Sequence, residues 1–284
     1  MSIEDIILGH DQRGISALRP HLPENFCDQA ARLVLEHSGT ALIATGFYIA
    51  AARAAETDGP PGAVAIGNAL QAMRYEVVYV TDLYAAPMMT DVVGSKASVI
   101  DFPITDLEGS EKFAGDLLSQ LTPSVLISIE RCGPTQDGVY SNMYGRDISS
   151  QTARVDCLFR SHPNTVGIGD GGNEIGMGNM ASAIPGVPSL VKAPCATTTT
   201  KLVISSVSNW GGYGLVTALS RRTGKDLLIS AESERGLVRR MVDMGAVDGT
   251  TGDSQYKVDG FTLEENGRVI TELHELLAKE GVPP

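Results

Sequence analysis

Short apolar runs alternate with amphipathic segments along most of the chain. Seven runs predict strands, the last of them weakly: 41–45, 76–81, 97–101, 124–129, 164–169, 201–205 and 226–231. Apolar residues at helical spacing predict helices at about 62–74, 111–121, 150–161, 174–183, 212–222 and 233–244. Strands and helices that alternate at this interval favour βαβ units. We therefore expect an α/β fold, with a mostly parallel sheet covered by helices on both faces in a Rossmann-like, three-layer arrangement.

The two ends of the chain follow other patterns. Residues 1–38 have helical spacing, and the segment after Gly245 is rich in turn residues and contains Val-Asp-Gly twice. An amphipathic helix is predicted at roughly 262–279. We expect a single domain over residues 1–284. Its parts would be an N-terminal helical appendage (1–38), a core (40–245) and a C-terminal segment with a helix (246–284).

Composition narrows the classes of function. The net charge of −12 disfavours binding to nucleic acid or to an anionic membrane surface. The longest uncharged apolar run, 39–52, has fourteen residues, too few to span a bilayer. The four cysteines are widely spaced and form no C-x-x-C pair, which disfavours a zinc site or a disulfide framework. With an acidic start in place of a cationic leader, these features predict a cytoplasmic protein.

Polar residues follow the predicted strands, at the edge where open parallel sheets bind their ligands. They are Gly46 after the first strand, Asp82 after the second, Glu130 and Arg131 after the fourth, Asp170, Asn173 and Glu174 after the fifth, and Ser208 and Asn209 after the sixth. Each is an ordinary turn or cap residue when taken alone. Several carboxylates at one sheet edge point instead to a functional site.

The stretch VGIGDGGNEIGMGN (166–179) contains the G-x-G-x-x-G spacing of dinucleotide sites. Two features argue against a nucleotide. Asp170 would face the pyrophosphate, and the 51 residues between Glu174 and Asp226 contain no acidic residue to hold a ribose. We expect instead that the amides of Gly169, Gly171 and Gly172 bind a small acid at the start of helix 174–183. Asp170 and Glu174 would then transfer protons or bind a cation.

No histidine lies in these clusters, because all five are scattered elsewhere. Acid–base chemistry at this edge must therefore use carboxylates, a thiol or a metal-bound water.

Four segments together carry a resemblance to a known family. They are ETDGPPGA (56–63), IERCGPTQDGVYSNMYGRDIS (129–149), GIGDGGNEIGMGN (167–179) and SNWGGYGL (208–215). Over residues 40–260 the chain resembles the D-glutamate cyclase C-terminal domain family. The resemblance implies a lyase-type reaction in which D-glutamate closes to 5-oxo-D-proline with loss of water. Characterised animal members also carry an N-terminal hydro-lyase-like domain.

This chemistry needs proton-transfer groups and a site for the oxyanion. Asp170 and Glu174 are the leading catalytic candidates, followed by Glu130. A divalent metal, Mn²⁺ or Mg²⁺, would be held by Asp58, Asp170 and Glu174, and no organic cofactor is expected. Asp58 lies in a Pro- and Gly-rich segment that is equally typical of a simple turn.

The expected ligand is an acidic amino acid or its lactam. Arg131 and Arg146 are candidates to clamp its carboxylate, although Arg146 is also placed to pair with Asp147. The remaining candidate binding residues are Gly46, Asn142, Gly169, Gly171, Gly172, Asn173, Ser208 and Asn209. A homo-oligomer is possible.

Two other functions fit the same sequence. The chain could be a carboxylate-binding regulatory module without turnover, or a cofactor-independent racemase that uses the thiols of Cys132 and Cys195. Both cysteines are equally consistent with small buried side chains. Trp210, the one tryptophan, is either a pocket wall or a helix anchor.

Overall fold

The computed structural model describes residues 1–283. Its main sheet has six parallel strands in the order β5–β4–β1–β6–β7–β8. They are β1 (Thr40–Ala44), β4 (Glu76–Thr81), β5 (Ser98–Asp101), β6 (Val125–Ile129), β7 (Thr165–Gly169) and β8 (Lys201–Ile204). Two short antiparallel pairs lie outside it, β2 (Tyr48–Ile49) with β3 (Ala54–Ala55) and β9 (Lys257–Val258) with β10 (Phe261–Thr262).

Helices cover both faces of the sheet. They are α1 (Ile3–Ile7), α2 (Phe26–Glu36), α3 (Pro60–Ala72), α4 (Ala86–Val93), α5 (Leu107–Leu121), α6 (Asp156–Arg160), α7 (Ser208–Thr223), α8 (Ala231–Asp243) and α9 (Leu263–Lys279). Successive strand residues point to opposite faces, so Ile43 packs with the larger apolar core and Leu42 with the smaller one. The larger core takes side chains from α1–α4 and α7–α9, and the smaller from α5 and α6. The three-layer α/β prediction is confirmed.

Three predicted elements are wrong in detail. Residues 226–230 form a loop and Ala231 begins α8, because the N–H groups of Leu227 and Leu228 donate to the side chains of Ser220 and Asp226 instead of to a strand. Residues 174–183 form no α-helix, since Gly176 has φ +103° and bridges to Thr198, which leaves only 3-10 turns at Gly178–Met180 and Ile184–Gly186. Residues 150–161 are α-helical only in α6.

The strand order places a crevice at one point of the sheet. The chain leaves β1 towards β4 and β5 on one side and leaves β6 towards β7 and β8 on the other. In open α/β sheets, ligands bind beyond the carboxyl ends of strands where the order reverses in this way. The fold therefore points to the loops after β1, β6 and β7.

Within residues 1–283, none of the helices combines the length and the apolar character that crossing a bilayer requires.

Candidate active site

Six buried carboxyl groups gather beyond β1, β6 and β7, and we call them the acidic cluster. They belong to Glu56, Asp58, Glu130, Asp170, Glu174 and Asp259. One oxygen each from Glu130, Asp170 and Glu174 lies within 4.8 Å of the other two, and the same holds for Asp58, Asp170 and Asp259. Asp170 thus belongs to both trios, and the predicted catalytic carboxylates do meet in space.

Glu130 leaves the end of β6 in an unusual backbone conformation. Its φ is +45°, a region that non-glycine residues rarely adopt and that costs about 1–3 kcal/mol. The turn directs its side chain to the start of α7, where the Ser208 hydroxyl donates a 2.5 Å hydrogen bond to Oε2. Strain of this kind persists where the surrounding structure holds the residue in place, and it is common at functional sites.

The first turns of α3 and α7 hold one another and fix Asp58. Its two carboxylate oxygens accept the backbone N–H groups of Ser208 (2.9 Å) and Asn209 (2.8 Å). The side-chain oxygen of Asn209 accepts the N–H groups of Gly59 (3.0 Å) and Gly62 (2.8 Å) in return. Asp58 and Asn209 therefore act as caps, and the positive ends of both helices face the acidic cluster.

The backbone amides of the glycine-rich turn after β7 bind a side chain of the protein itself. The N–H groups of Gly171 and Gly172 donate to Oε1 and Oε2 of Glu174, each at 2.8 Å. A Cβ atom at Gly169 would lie 2.8 Å from Oε2 of the same carboxylate. The glycines thus admit and orient Glu174. The expected nest for a ligand acid is already occupied, and no α-helix follows it.

A cation from the N-terminal segment enters the acidic cluster. The Arg13 guanidinium lies 2.7 Å from Oδ1 of Asp170 and 2.8 Å from Oδ1 of Asp259. Sequence reasoning missed both Arg13 and Asp259. The repeated Val-Asp-Gly was the available signal: in the first copy Asp248 accepts the N–H groups of Thr251 and Gly260, whereas the second copy places Asp259 in the cluster.

A cavity of about 310 Å³ opens beside the acidic cluster. From the predicted set, its lining includes Glu130, Asn142, Arg146, Asn173 and Glu174. Other lining residues, which the sequence did not single out, include Arg13, Phe47, Glu56, Met143 and Gly249–Gly252. Asp58 and Asp170 do not line this cavity, nor do the predicted binding residues Gly46, Gly169, Gly171, Gly172, Ser208 and Asn209. A larger hollow of about 950 Å³ lies near the amino ends of β7 and β8 and includes no member of the cluster.

The two candidate arginines have different surroundings. Arg131 is buried and donates to the Gly46 carbonyl (2.8 Å), to Asp82 (2.6 Å) and to the Ala153 carbonyl (3.0 Å), so it ties loops together behind the cavity. Arg146 is exposed at the cavity mouth. Asn142 accepts the N–H of Arg146 at 3.0 Å and so shapes the turn that presents it.

The thiols and the tryptophan lie apart from the cavity. Cys132 and Cys195 are both buried, and burial raises the pKa of Cys132 and brings that of Cys195 to about 12. A racemase base needs the opposite, an accessible thiolate. Trp210 donates to Asn266 (2.8 Å) and packs on Phe261, which makes it an anchor between α7 and α9.

Burial and mutual repulsion favour the protonated forms of several cluster carboxyls. Burial, with the charge of Asp259, raises the pKa of Asp58 to about 8. Burial is also the largest cause that raises the pKa values of Glu56, Glu130 and Asp170, while Arg13 opposes the rise at Asp170. Carboxylic acids that keep a proton near neutral pH can serve as general acids.

Comparison with known proteins identifies the family. The profile described as D-glutamate cyclase-like, C-terminal, matches residues 3–274. The chain belongs to this family. The human protein named D-glutamate cyclase, mitochondrial, is 34% identical over 208 residues, which cover 66% of this chain and 34% of the human protein. The chain thus spans about a third of the length of that relative. The family match extends beyond residues 40–260 and includes the N-terminal segment that contributes Arg13.

Proposed function

We propose that this chain interconverts D-glutamate with 5-oxo-D-proline and water in the 310 Å³ cavity. The observation that carries the proposal is the convergence of Glu130, Asp170 and Glu174, whose oxygens lie within 4.8 Å of one another beside that cavity. Membership of the D-glutamate cyclase-like family and the name of the human relative support the choice of reaction. The activity is that of a carbon–oxygen lyase.

Ring closure forms one bond and breaks another. The α-amine, as the free base, attacks the γ-carboxyl carbon, the new C–N bond forms, and the departing oxygen leaves as water. One proton must leave the nitrogen and one must reach that oxygen. Both reacting groups belong to one molecule, so closure has a low entropic cost and needs no ATP in principle.

Three glutamates on the cavity wall divide the proton transfers. Glu174 is held by two amides with its oxygens fixed in position, and we assign it as the proton acceptor. Glu56 has a raised pKa and donates a proton to the leaving oxygen, and Glu130, whose pKa is also raised, takes this role where no cation is bound. Positioned acids and bases of this kind contribute about 10²–10⁴-fold each.

Substrate enters past the turn at 142–146. Arg146 presents an exposed guanidinium there, which is suited to bidentate contact with a carboxylate. Asn142 and Asn173 line the same cavity and offer amide groups to the amino acid.

The cluster also fits a divalent cation. Asp170 Oδ2 is buried and has no hydrogen-bond partner among residues 1–283, and an all-oxygen donor set suits Mg²⁺ or Mn²⁺. Glu130, Asp170 and Glu174 would hold the ion. Asp58, expected from sequence in place of Glu130, belongs to the other carboxylate trio, with Asp170 and Asp259. A bound cation would supply Lewis-acid polarisation of the substrate carboxyl group.

Incubation with D-glutamate and, separately, with 5-oxo-D-proline tests the proposal, with and without Mn²⁺ or Mg²⁺. We expect interconversion by the unmodified chain and a loss of at least about 100-fold in Asp170→Asn. Glu272→Gln, an exposed change on α9, is the matched control and should keep full activity. Binding of either compound without turnover would refute a cyclase and favour a carboxylate-binding module.

A further inference from the structure

Arg13 is held rigidly before its side chain reaches the acidic cluster. The Asp11 carboxylate accepts the N–H groups of Arg13 (3.0 Å) and Gly14 (2.7 Å), and Gly14 turns the chain with φ +78°. The Ser189 hydroxyl donates to the Arg13 carbonyl at 2.5 Å. Both sides of the Arg13 backbone are therefore fixed, so its guanidinium is positioned by the fold.

The guanidinium contacts two of the three carboxylates in one of the trios. It contacts Oδ1 of Asp170 and Oδ1 of Asp259, two members of the trio completed by Asp58. The second oxygens, Oδ2 of Asp170 and Oδ2 of Asp259, are buried and have no hydrogen-bond partner among residues 1–283. These oxygens are free to bind a cation, and Asp170 links the two trios.

We propose that the acidic cluster contains two cation positions that share Asp170, and that Arg13 permanently fills the one formed with Asp58 and Asp259. A divalent cation then has only the position formed by Glu130, Asp170 and Glu174. This inference rests on the metal site of the proposed function. It goes beyond that site, because it makes one side chain, Arg13, determine how many ions the cluster binds. Arg13 acts as a positioning residue for Asp170.

An arginine suits this role for two physical reasons. Its guanidinium stays charged at every working pH, so it neutralises the negative charges of Asp170 and Asp259 whether or not a metal ion is bound. It also lies against Asp259 and Asp170, the carboxylates that a second cation would need, and a cation placed there would meet the guanidinium charge at close range. Removal of the guanidinium should therefore open a second oxygen-lined position.

Metal stoichiometry tests this inference without reference to activity. Metal-free protein is titrated with Mn²⁺ by calorimetry and by electron paramagnetic resonance. We expect one ion for the unmodified chain and two for Arg13→Gln, with a signal broadened by coupling between neighbouring ions. Arg13→Lys keeps the charge and should bind one ion. Arg19→Gln is the matched control from the same segment, because Arg19 pairs with Asp5 outside the cluster, and it should also bind one.

The outcomes separate this inference from the metal proposal. Two ions in the unmodified chain, or one in a folded Arg13→Gln variant, overturn the role of Arg13 and leave the metal site standing. No bound ion in the unmodified chain overturns both. If Arg13→Gln does not fold, crystals of the unmodified protein soaked in Mn²⁺ decide. One anomalous peak at Glu130, Asp170 and Glu174 supports the inference, and a peak between Asp58 and Asp259 overturns it.

Discussion

Asp58 and Asn209 cap each other's helices: Asp58 Oδ1 accepts the N–H of Asn209 at 2.8 Å, and Asn209 Oδ1 accepts the N–H of Gly62 at 2.8 Å. The pair joins the loop after β1 to the loop after β8, two strands that are not neighbours in the sheet. Because both residues are buried, each leaves unpaired amides behind when it is removed. The arrangement of the site and the stability of the fold therefore depend on the same two side chains.

Loss of the amide at position 209 should destabilise the protein. Asn209→Ala removes the cap of α3 and leaves the N–H group of Gly62 without its partner, while the N–H of Gly59 keeps its hydrogen bond to Asp58 Oδ1, at a cost of about 1–3 kcal/mol. Urea denaturation measures the free energy of unfolding. Asn68→Ala, a part-buried asparagine within α3, is the control and should change it by less than about 0.5 kcal/mol. Equal effects at both positions would contradict the capping role.

A methyl group at Gly59 should disturb Glu130. Gly59 has φ +95°, and a Cβ atom there would lie 2.7 Å from Glu130 Cβ and 2.8 Å from Thr45 Oγ1. We expect Gly59→Ala to cost about 2–4 kcal/mol and to lower the proposed cyclase activity. Gly94→Ala also places alanine at positive φ, but with no atom within 4 Å, so only the backbone cost of about 1–2 kcal/mol applies. A Gly59 variant no worse than the Gly94 variant would disprove the steric argument.

Glu234 should make stability depend on pH. It is buried in α8 with no hydrogen-bond partner for either oxygen among residues 1–283, and burial raises its pKa from 4.5 to about 8. A raised carboxyl pKa stabilises the fold below about pH 4.5, and this contribution is lost as the pH rises to about 8. We therefore compare the free energy of unfolding of Glu234→Gln with that of the unmodified chain. The difference should shift in favour of the variant by on the order of 3 kcal/mol between pH 5 and pH 9.

The control for that titration lies on the same helix. Glu232 is exposed in the first turn of α8 and pairs with Arg235 at 2.7 Å. Glu232→Gln should follow the unmodified chain at both pH values. If the difference between Glu234→Gln and the unmodified chain is the same at pH 5 and pH 9, the carboxyl is not titrating in this range.

Arg146 should contribute more to substrate binding than to the chemical step. Because it lies exposed at the cavity mouth, away from the converging carboxyls, Arg146→Gln should raise KM for D-glutamate about 10-fold and leave kcat within about twofold. Arg239→Gln, an exposed change on α8, should alter neither constant. Steady-state kinetics would reject the assignment if kcat fell and KM did not change.

The apolar pattern was enough to predict the sheet, because buried parallel strands are nearly continuous apolar runs. It failed at 226–231, where Leu228 enters the core from a loop, and at 174–183, where Gly176 allows a backbone that a side chain would block. Both errors depend on tertiary contacts, since a loop and a strand can bury the same apolar residues. The backbone near residue 174 forms the turn that orients the Glu174 carboxylate, in place of the helix that the apolar pattern predicts.

The site was predictable where strand ends supply it. Glu130, Asp170 and Glu174 follow parallel strands directly, so topology alone brings them to one edge. Arg13 and Asp259 come from segments far from those strands, and their docking depends on turns such as the one around Asp11, whose direction no periodicity reveals. The sequence shows the glycine spacing, but only the structure shows that the anion bound by these amides is the carboxylate of Glu174.

The amides of the turn after β7 bind an anion from the same segment, the carboxylate of Glu174. This affects which ligands such a turn can bind. A strand, a glycine turn and two inward amides could receive a phosphate, yet here the carboxylate of Glu174 competes for both donors from within the molecule. Because the carboxylate is tethered only two or three residues from both donors, it competes with any free oxyanion as an intramolecular ligand. A single internal carboxylate thus distinguishes this turn from one whose amides are open to a phosphate.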